Sequence, residues 1–208
     1  MIKNIIFDFG DVFINLDKSA TAKALHQLGI NSFTKEMTAW NEAYEKGKLS
    51  TDNFIKNYQT VFPNIPKTDL IKAWNSILLD FPKQRLHFLQ ELQQQDQYRL
   101  FLLSNTNALH IQWIIDHVDF YDDFQKCFEQ FYLSHEIQMR KPNTNIFEFV
   151  LNKNQLIAAE TLFIDDTKEN TDAAATLGIQ VWNNNPQTED ISNLFTIKKH
   201  LFLSLIHI

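Results

Sequence analysis

The spacing of apolar positions changes along the chain, and each change marks a different kind of element. Ile5-Ile6-Phe7 is a short continuous apolar run, β-branched and aromatic, that ends at Asp8 with Gly10 just beyond. Such a run predicts a strand buried on both faces, in the middle of a parallel sheet. From Lys18 the apolar residues fall at helical intervals instead. Ala22, Leu25 and Leu28 lead to Gly29, and Met37, Trp40 and Tyr44 follow Thr34 and stop at Gly47. Phe54, Ile55, Tyr58 and Val61 follow a capping Ser50 or Thr51 and precede Pro63. Thr68 is placed to cap a further helix through Leu79, and Pro82 opens one to Gln95 with Leu86, Leu89 and Leu92 on one face.

Strand patterns then return. Arg99 to Ser104, Phe131 to Leu133, Leu162 to Ile164 and Ile179 to Trp182 read as strands. They alternate with helices at Leu109–His117, around Phe147, Val150 and Leu151, and at Thr167–Leu177 before Gly178. This alternation predicts an α/β fold: a Rossmann-like, doubly wound parallel sheet. A crossover between parallel strands needs about 12 residues, so the helical stretch after the first strand is mostly surplus and predicts an inserted α-helical cap. The expected division is residues 1–15 and 97–208 for the core, with 16–96 as cap and connecting helix.

Four of the strands lead into polar residues: Asp8; Ser104 with Asn105; Lys141, following Met139-Arg140; and Asp165 with Asp166. Parallel strands open their carboxyl ends on one edge, where such sheets bind ligands, so these groups converge on one crevice. Taken singly, each has a plain structural reading: a turn aspartate, a helix cap, a solvated lysine or carboxylates at a helix start. Together they make a site. Three carboxylates in one crevice repel and call for a cation. Oxygen ligands without His or Cys indicate a hard ion, Mg²⁺ above others. Lys141 supplies a compact positive charge, and Ser104 with the N–H groups beyond it suits a phosphate oxygen. An attacking carboxylate in such surroundings would form an aspartyl-phosphate.

The order Asp8-Phe-Gly-Asp-Val, Ser104-Asn105, Lys141-Pro142 and Asp165-Asp166 resembles the four motifs of the haloacid dehalogenase superfamily. The resemblance spans nearly the whole chain. Leu103-Ser-Asn-Thr-Asn-Ala-Leu-His110 and Met139-Arg-Lys-Pro142 are most similar to the branch containing bacterial α-D-glucose-1-phosphate phosphatase. The resemblance implies Asp8 as nucleophile and metal ligand, and Gly10 as a backbone carbonyl ligand. It implies Ser104 and Asn105 with Lys141 at the phosphate, Asp166 on Mg²⁺ directly, and Asp165 largely through water. It also implies a mobile cap closing over a small phosphorylated metabolite, sugar phosphates foremost.

One position departs from the family. Most of its phosphatases carry a second Asp, the general acid and base, where this chain has Gly10. Such an acid contributes roughly 10²–10⁴-fold. Three explanations stand: a good leaving group such as an anomeric phosphate, a substitute group from Asp11 or the cap, or a protein that binds a phosphorylated ligand without efficient turnover. The first fits the branch. A haloacid dehalogenase also lacks the second Asp, but works without metal and has no use for Asp165-Asp166.

Composition adds limits. Of 208 residues 44% are hydrophobic, and 18 are Phe, ample for a packed core. A net charge of −6 without a basic aromatic stripe disfavours nucleic acid. The single Cys127 excludes an intrachain disulfide and suits a reducing, cytoplasmic setting, and no leader-like segment opens the sequence. The apolar ending Leu201 to Ile208 is far shorter than the roughly 20 residues of a membrane span, so a final element docking on the core, or a partner contact, is expected. Either a monomer or a homodimer fits. Trp40, Tyr44, Lys46 and Lys48 flank Gly47 and either line the crevice or pack and solvate the cap. His26, His87, His110, His117 and His135 lack metal-site spacing and read as surface or packing residues.

Overall fold

The computed structural model describes residues 1–202. Five parallel strands form one sheet: β1 (Asn4–Phe7), β2 (Arg99–Ser104), β3 (Gln130–Leu133), β4 (Thr161–Asp165) and β5 (Gln180–Asn183), in spatial order β3-β2-β1-β4-β5. The chain builds outward from β1 to β3, then returns to the other side of β1. The switch point therefore lies between β1 and β4, whose registers pair Phe7 with Ile164 and so bring Asp8 beside Asp165.

Alternation along the strands fills both faces. Ile5, Phe7, Leu100, Leu102, Leu162 and Ile164 enter one apolar cluster, while Ile6, Phe101, Leu103 and Phe163 enter another on the opposite face. The first face is aromatic, with Phe9, Phe13, Phe81, Phe124, Phe128 and Phe131 in mutual ring contact. It is covered by α5 (Lys83–Gln94), α6 (Ala108–His117) and α7 (Tyr121–Gln125). Helices α9 (Thr144–Asn154) and α10 (Lys168–Ala175) cover the second. A short α8 (Ser134–Ile137) follows β3 directly.

The inserted helices are α1 (Ala20–Gln27), α2 (Lys35–Glu45), α3 (Thr51–Val61) and α4 (Lys67–Asn75). They bury their own cluster, including Leu25, Met37, Tyr44, Phe54, Tyr58 and Leu70. Thr34 and Ser50 cap α2 and α3 through N–H groups of Met37 and Asn53. Helix α4 departs from the expected Thr68–Leu79: it begins after Pro66 and stops at Asn75. The residues beyond it have another use. Asp17 N–H donates to the Ile77 carbonyl, Leu79 N–H to Asn15, and Asn15 N–H to Asp80, so the two connectors run antiparallel between core and insert. Residues 121–123 begin α7, with Tyr121 buried.

At the far end, α11 (Leu194–Ile197) and α12 (Lys199–Phe202) set Phe202 against Phe195 and Tyr98, with ring centroids at 4.7 and 5.5 Å. Leu201 and Phe202 thus pack on the core. The remainder of the apolar ending lies outside the described residues. Among the described residues no helix is long and apolar enough to cross a membrane.

Candidate active site

Every strand end in the crevice is shaped by the chain that follows it. After β1, Phe9 accepts N–H bonds from Phe13 and Ile14, and Asp11 N–H donates to the Ile14 carbonyl, closing a tight loop. Asp11 occupies the left-handed region (φ +53°). Its carboxylate is engaged by other groups, accepting from Leu16 N–H at 3.0 Å and facing Lys18 Nζ at 3.2 Å. A side chain at Gly10 would bring its Cβ to 2.7 Å from Leu16 Cδ1, so Leu16 fills the room beside Gly10.

Asp8 is 8% exposed, while Asp165 and Lys141 are fully buried. Lys141 Nζ lies 2.8 Å from Asp8 Oδ1 and 2.6 Å from Asp165 Oδ2, and donates to the Leu103 carbonyl at 2.8 Å. It therefore neutralises two strand ends at once and joins them to a third. Burial opposes its charge, but Asp165 and Asp8 outweigh this and hold the ammonium above its ordinary range. Burial pushes Asp8 up to about 7, the Lys141 charge pulling down and Asp165 pushing further up.

Asp165 has its oxygens occupied: Oδ1 accepts from Thr167 N–H and both oxygens accept from Asn170. Asp166 is drawn upward by burial and downward by its ion pair with Lys18. One oxygen from each of Asp8, Asp165 and Asp166 falls within 4.8 Å of the others. Asp8 Oδ1 is buried and, despite the nearby ammonium, lacks an aligned hydrogen bond among the described residues. An all-carboxylate set with such an underused oxygen fits a hard divalent cation. Asp8 and Asp166 have oxygens to spare for it, and Asp165 does not.

The crevice measures about 370 Å³ and is lined by Asp8, Gly10, Lys18, Arg140, Lys141 and Asp166, with Leu16, Asn105 and Asn170 among others. Asn105 grips the Lys141 backbone from both sides, donating to its carbonyl and accepting its N–H, each at 2.9 Å. Ser104 ends β2 and is 3% exposed. Among the expected cap residues, Tyr44 is buried and stacked on Phe54 at 4.2 Å, and Trp40 meets Tyr58 edge-on. Lys46 pairs with Glu42 at 3.5 Å, so these three pack or solvate the insert.

Sequence patterns did not single out Asn170, Lys18, Glu45 or Ser134. Asn170 lies in the first turn of α10, four residues after Asp166, a spacing that faces it back toward the strand end. Fully buried Ser134 accepts from Thr106 N–H at 2.9 Å and donates to the Glu45 carbonyl at 2.7 Å, tying the β2 loop to the insert. Neither it nor the others forms a motif.

Fold and crevice together define a Rossmann-like α/β protein whose strand ends gather carboxylates around one buried lysine. A family model described as haloacid dehalogenase-like hydrolase matches residues 5–183, and the chain belongs to that family. It is 28% identical over 191 residues to D-ribitol-5-phosphate phosphatase of Bacteroides thetaiotaomicron, covering 88% of this chain and 91% of the relative. A wild-type HAD family enzyme from Bacteroides thetaiotaomicron, solved with magnesium and inorganic phosphate, superposes with a TM-score of 0.82 at 32% identity, covering 94% and 100% of the two chains. An HAD-like family hydrolase from Porphyromonas gingivalis shares the fold, with a TM-score of 0.83 at 24% identity over 98% and 100%.

Proposed function

We propose that the protein is a Mg²⁺-dependent phosphatase of small phosphorylated metabolites, sugar and polyol phosphates foremost, working through an aspartyl-phosphate on Asp8. The observation that carries this is Lys141, buried between Asp8 and Asp165 at 2.8 and 2.6 Å, with Asp166 completing a carboxylate set open to a cation. The relative's name and the neighbouring magnesium and phosphate complex support the same reading.

An oxygen of Asp8 attacks phosphorus. The new P–O bond forms as the bond to the leaving oxygen breaks, and that oxygen departs with the electron pair and takes up a proton. Water then attacks the phosphorus of the acyl phosphate, freeing inorganic phosphate and restoring the Asp8 carboxylate. Lys141 holds the attacking carboxylate in place and faces the charge of the phosphoryl group. Ser104 and the N–H groups after β2 bind phosphate oxygens, and Asn105 fixes the Lys141 backbone. Asp8, Asp166 and the Gly10 carbonyl would hold Mg²⁺, with Asp165 supporting them, and the bound ion would supply positive charge to offset carboxylates and phosphate.

With Gly10 in place of an acid, the leaving group carries more of the burden, which favours anomeric phosphates and the α-D-glucose-1-phosphate phosphatase branch. The test is phosphate release from a panel containing an anomeric sugar phosphate, D-ribitol 5-phosphate and an aryl phosphate, with Mg²⁺ and with EDTA. Metal-dependent release, fastest on the anomeric phosphate and abolished in Asp8→Asn, is expected. Release by the wild type no greater than by Asp8→Asn would leave a protein that binds phosphorylated ligands without turning them over.

A further inference from the structure

Arg140 is the least explained charge in the crevice. It precedes Lys141 and lines the same cavity as Asp8 and Asp166. One arm, Nη2, meets Glu45 Oε2 at 3.0 Å. Its Nε–H is buried and has no hydrogen-bond partner among the described residues. A guanidinium offers five donors in a fixed fork, and a buried donor left unmatched is costly. Nε–H is such a donor, without an acceptor among the described residues, and the side chain keeps 28% of its surface open at the cavity wall.

Glu45 is the last residue of α2 and is held firmly. Its carbonyl accepts from the Ser134 hydroxyl, and two residues later Gly47 sits against the core so closely that a Cβ there would fall 1.8 Å from the His135 carbonyl oxygen. The insert therefore places one carboxylate against the Nη2 arm of Arg140, whose partly exposed side chain also lines the cavity. Lys141 and Lys18 are committed to Asp8, Asp165, Asp11 and Asp166. Arg140 is likewise balanced by Glu45, so the guanidinium brings hydrogen-bond donors to the cavity with little surplus positive charge.

We propose that the Arg140–Glu45 pair is the specificity element of the site: Arg140 donates to hydroxyl oxygens of the leaving group, and Glu45, by neutralising it, selects uncharged polyhydroxylated leaving groups over those with a second anion. This rests on the phosphatase reading above. The pair joins the insert to the core, so it forms only with the insert seated, coupling selection to closure.

The test compares three substrates: D-ribitol 5-phosphate, a sugar bisphosphate, and p-nitrophenyl phosphate, which has no hydroxyl for Arg140. Arg140→Met is expected to raise KM for D-ribitol 5-phosphate on the order of 10- to 100-fold, with p-nitrophenyl phosphate changed less than about threefold. Arg140→Lys, which keeps the charge but loses the fork, is expected to fall between. Glu45→Gln is expected to raise kcat/KM for the bisphosphate relative to the monophosphate. Equal losses on the polyol and aryl phosphates in Arg140→Met would mean that the residue only holds the insert, and would overturn the inference. So would an unchanged bisphosphate ratio in Glu45→Gln. Failure of the wild type to release phosphate from any of the three would remove the phosphatase reading itself, a result distinct from either.

Discussion

Replacing Lys141 by Met tests how the crevice tolerates its own charge. Met matches the lysine stem in length but removes the ammonium. Asp165 is fully buried and Asp8 nearly so, and both lose the cation 2.6 and 2.8 Å away. Breaking a buried ion pair from one side costs about 3–5 kcal/mol, because an uncompensated charge stays behind. In a domain of this size each kcal/mol moves Tm by about 2–4 °C, so a fall of about 6–20 °C is expected in EDTA. Asp8 already stands at about 7, above its ordinary 3.8, because burial disfavours its charge. The folded state thus binds a proton more tightly than the unfolded state, and stability drops as pH rises between those values. Loss of Lys141 extends this window upward, so the deficit against wild type shrinks as pH is lowered toward 5. Saturating Mg²⁺ is expected to recover part of the deficit at neutral pH. Calorimetry and urea titration at neutral and acidic pH measure all three effects. A loss below about 1 kcal/mol in EDTA would refute Lys141 as the main neutraliser of the strand-end carboxylates.

Three further outcomes are expected. Gly10→Asp supplies the missing acid at the expense of moving Leu16 Cδ1, the terminal atom of a flexible side chain; it should speed hydrolysis of primary alkyl phosphates by up to about 10²-fold relative to aryl phosphates, and a parallel loss on both classes would mean that Leu16 cannot yield. Gly47→Ala forces a Cβ onto the His135 carbonyl at φ +62°, costing at least about 1–3 kcal/mol and raising hydrogen exchange around residues 45–51, while unchanged exchange there would contradict the seated insert. His110, on α6, bonds the Trp74 carbonyl of α4 through Nε2 and Asn107 through Nδ1, and burial pushes it down to about 4. Its folded pKa lies below the unfolded 6.5, so stability is lost as pH falls from 6.5 toward 4. At pH 4.5 His110→Gln should escape about 2–3 kcal/mol of the acid destabilisation that wild type suffers, as read by urea titration.

What the sequence discloses follows from which forces act locally. Strands buried on both faces need unbroken apolar runs, so Ile5–Phe7 and Leu162–Ile164 stand out, and so do the carboxylates that end them. Helical periodicity after Lys18 marks the insert. The antiparallel connectors Asn15–Asp17 and Ile77–Asp80 do not stand out, because their pairing is made by backbone groups and leaves no side-chain pattern; the reading through Leu79 as helix fails there. Arg85 is another such case: it donates to the Phe13 carbonyl and to Asn15, 72 and 70 positions away, and to Asp190, 105 positions away, bracing the loop after the β1 strand. Lys141 is visible by its place in a motif, but its burial between two carboxylates is a property of the register of β1, β2 and β4. Ser134 and Glu45 act through contacts between distant segments, and Asn170 through a side chain set back toward Asp165 by the turn into α10, none of which leaves an apolar pattern in the neighbouring residues.

The proposed reaction turns on covalent chemistry at Asp8. Acid-quenched protein, caught during turnover of an anomeric sugar phosphate with Mg²⁺, can be reduced with borohydride, which converts an aspartyl-phosphate to homoserine, and then digested for mass spectrometry. Homoserine at position 8 alone, formed only with substrate and Mg²⁺ and absent from Asp8→Asn, is the expected result. Turnover with an unmodified Asp8, or with the label on another carboxylate, would contradict it.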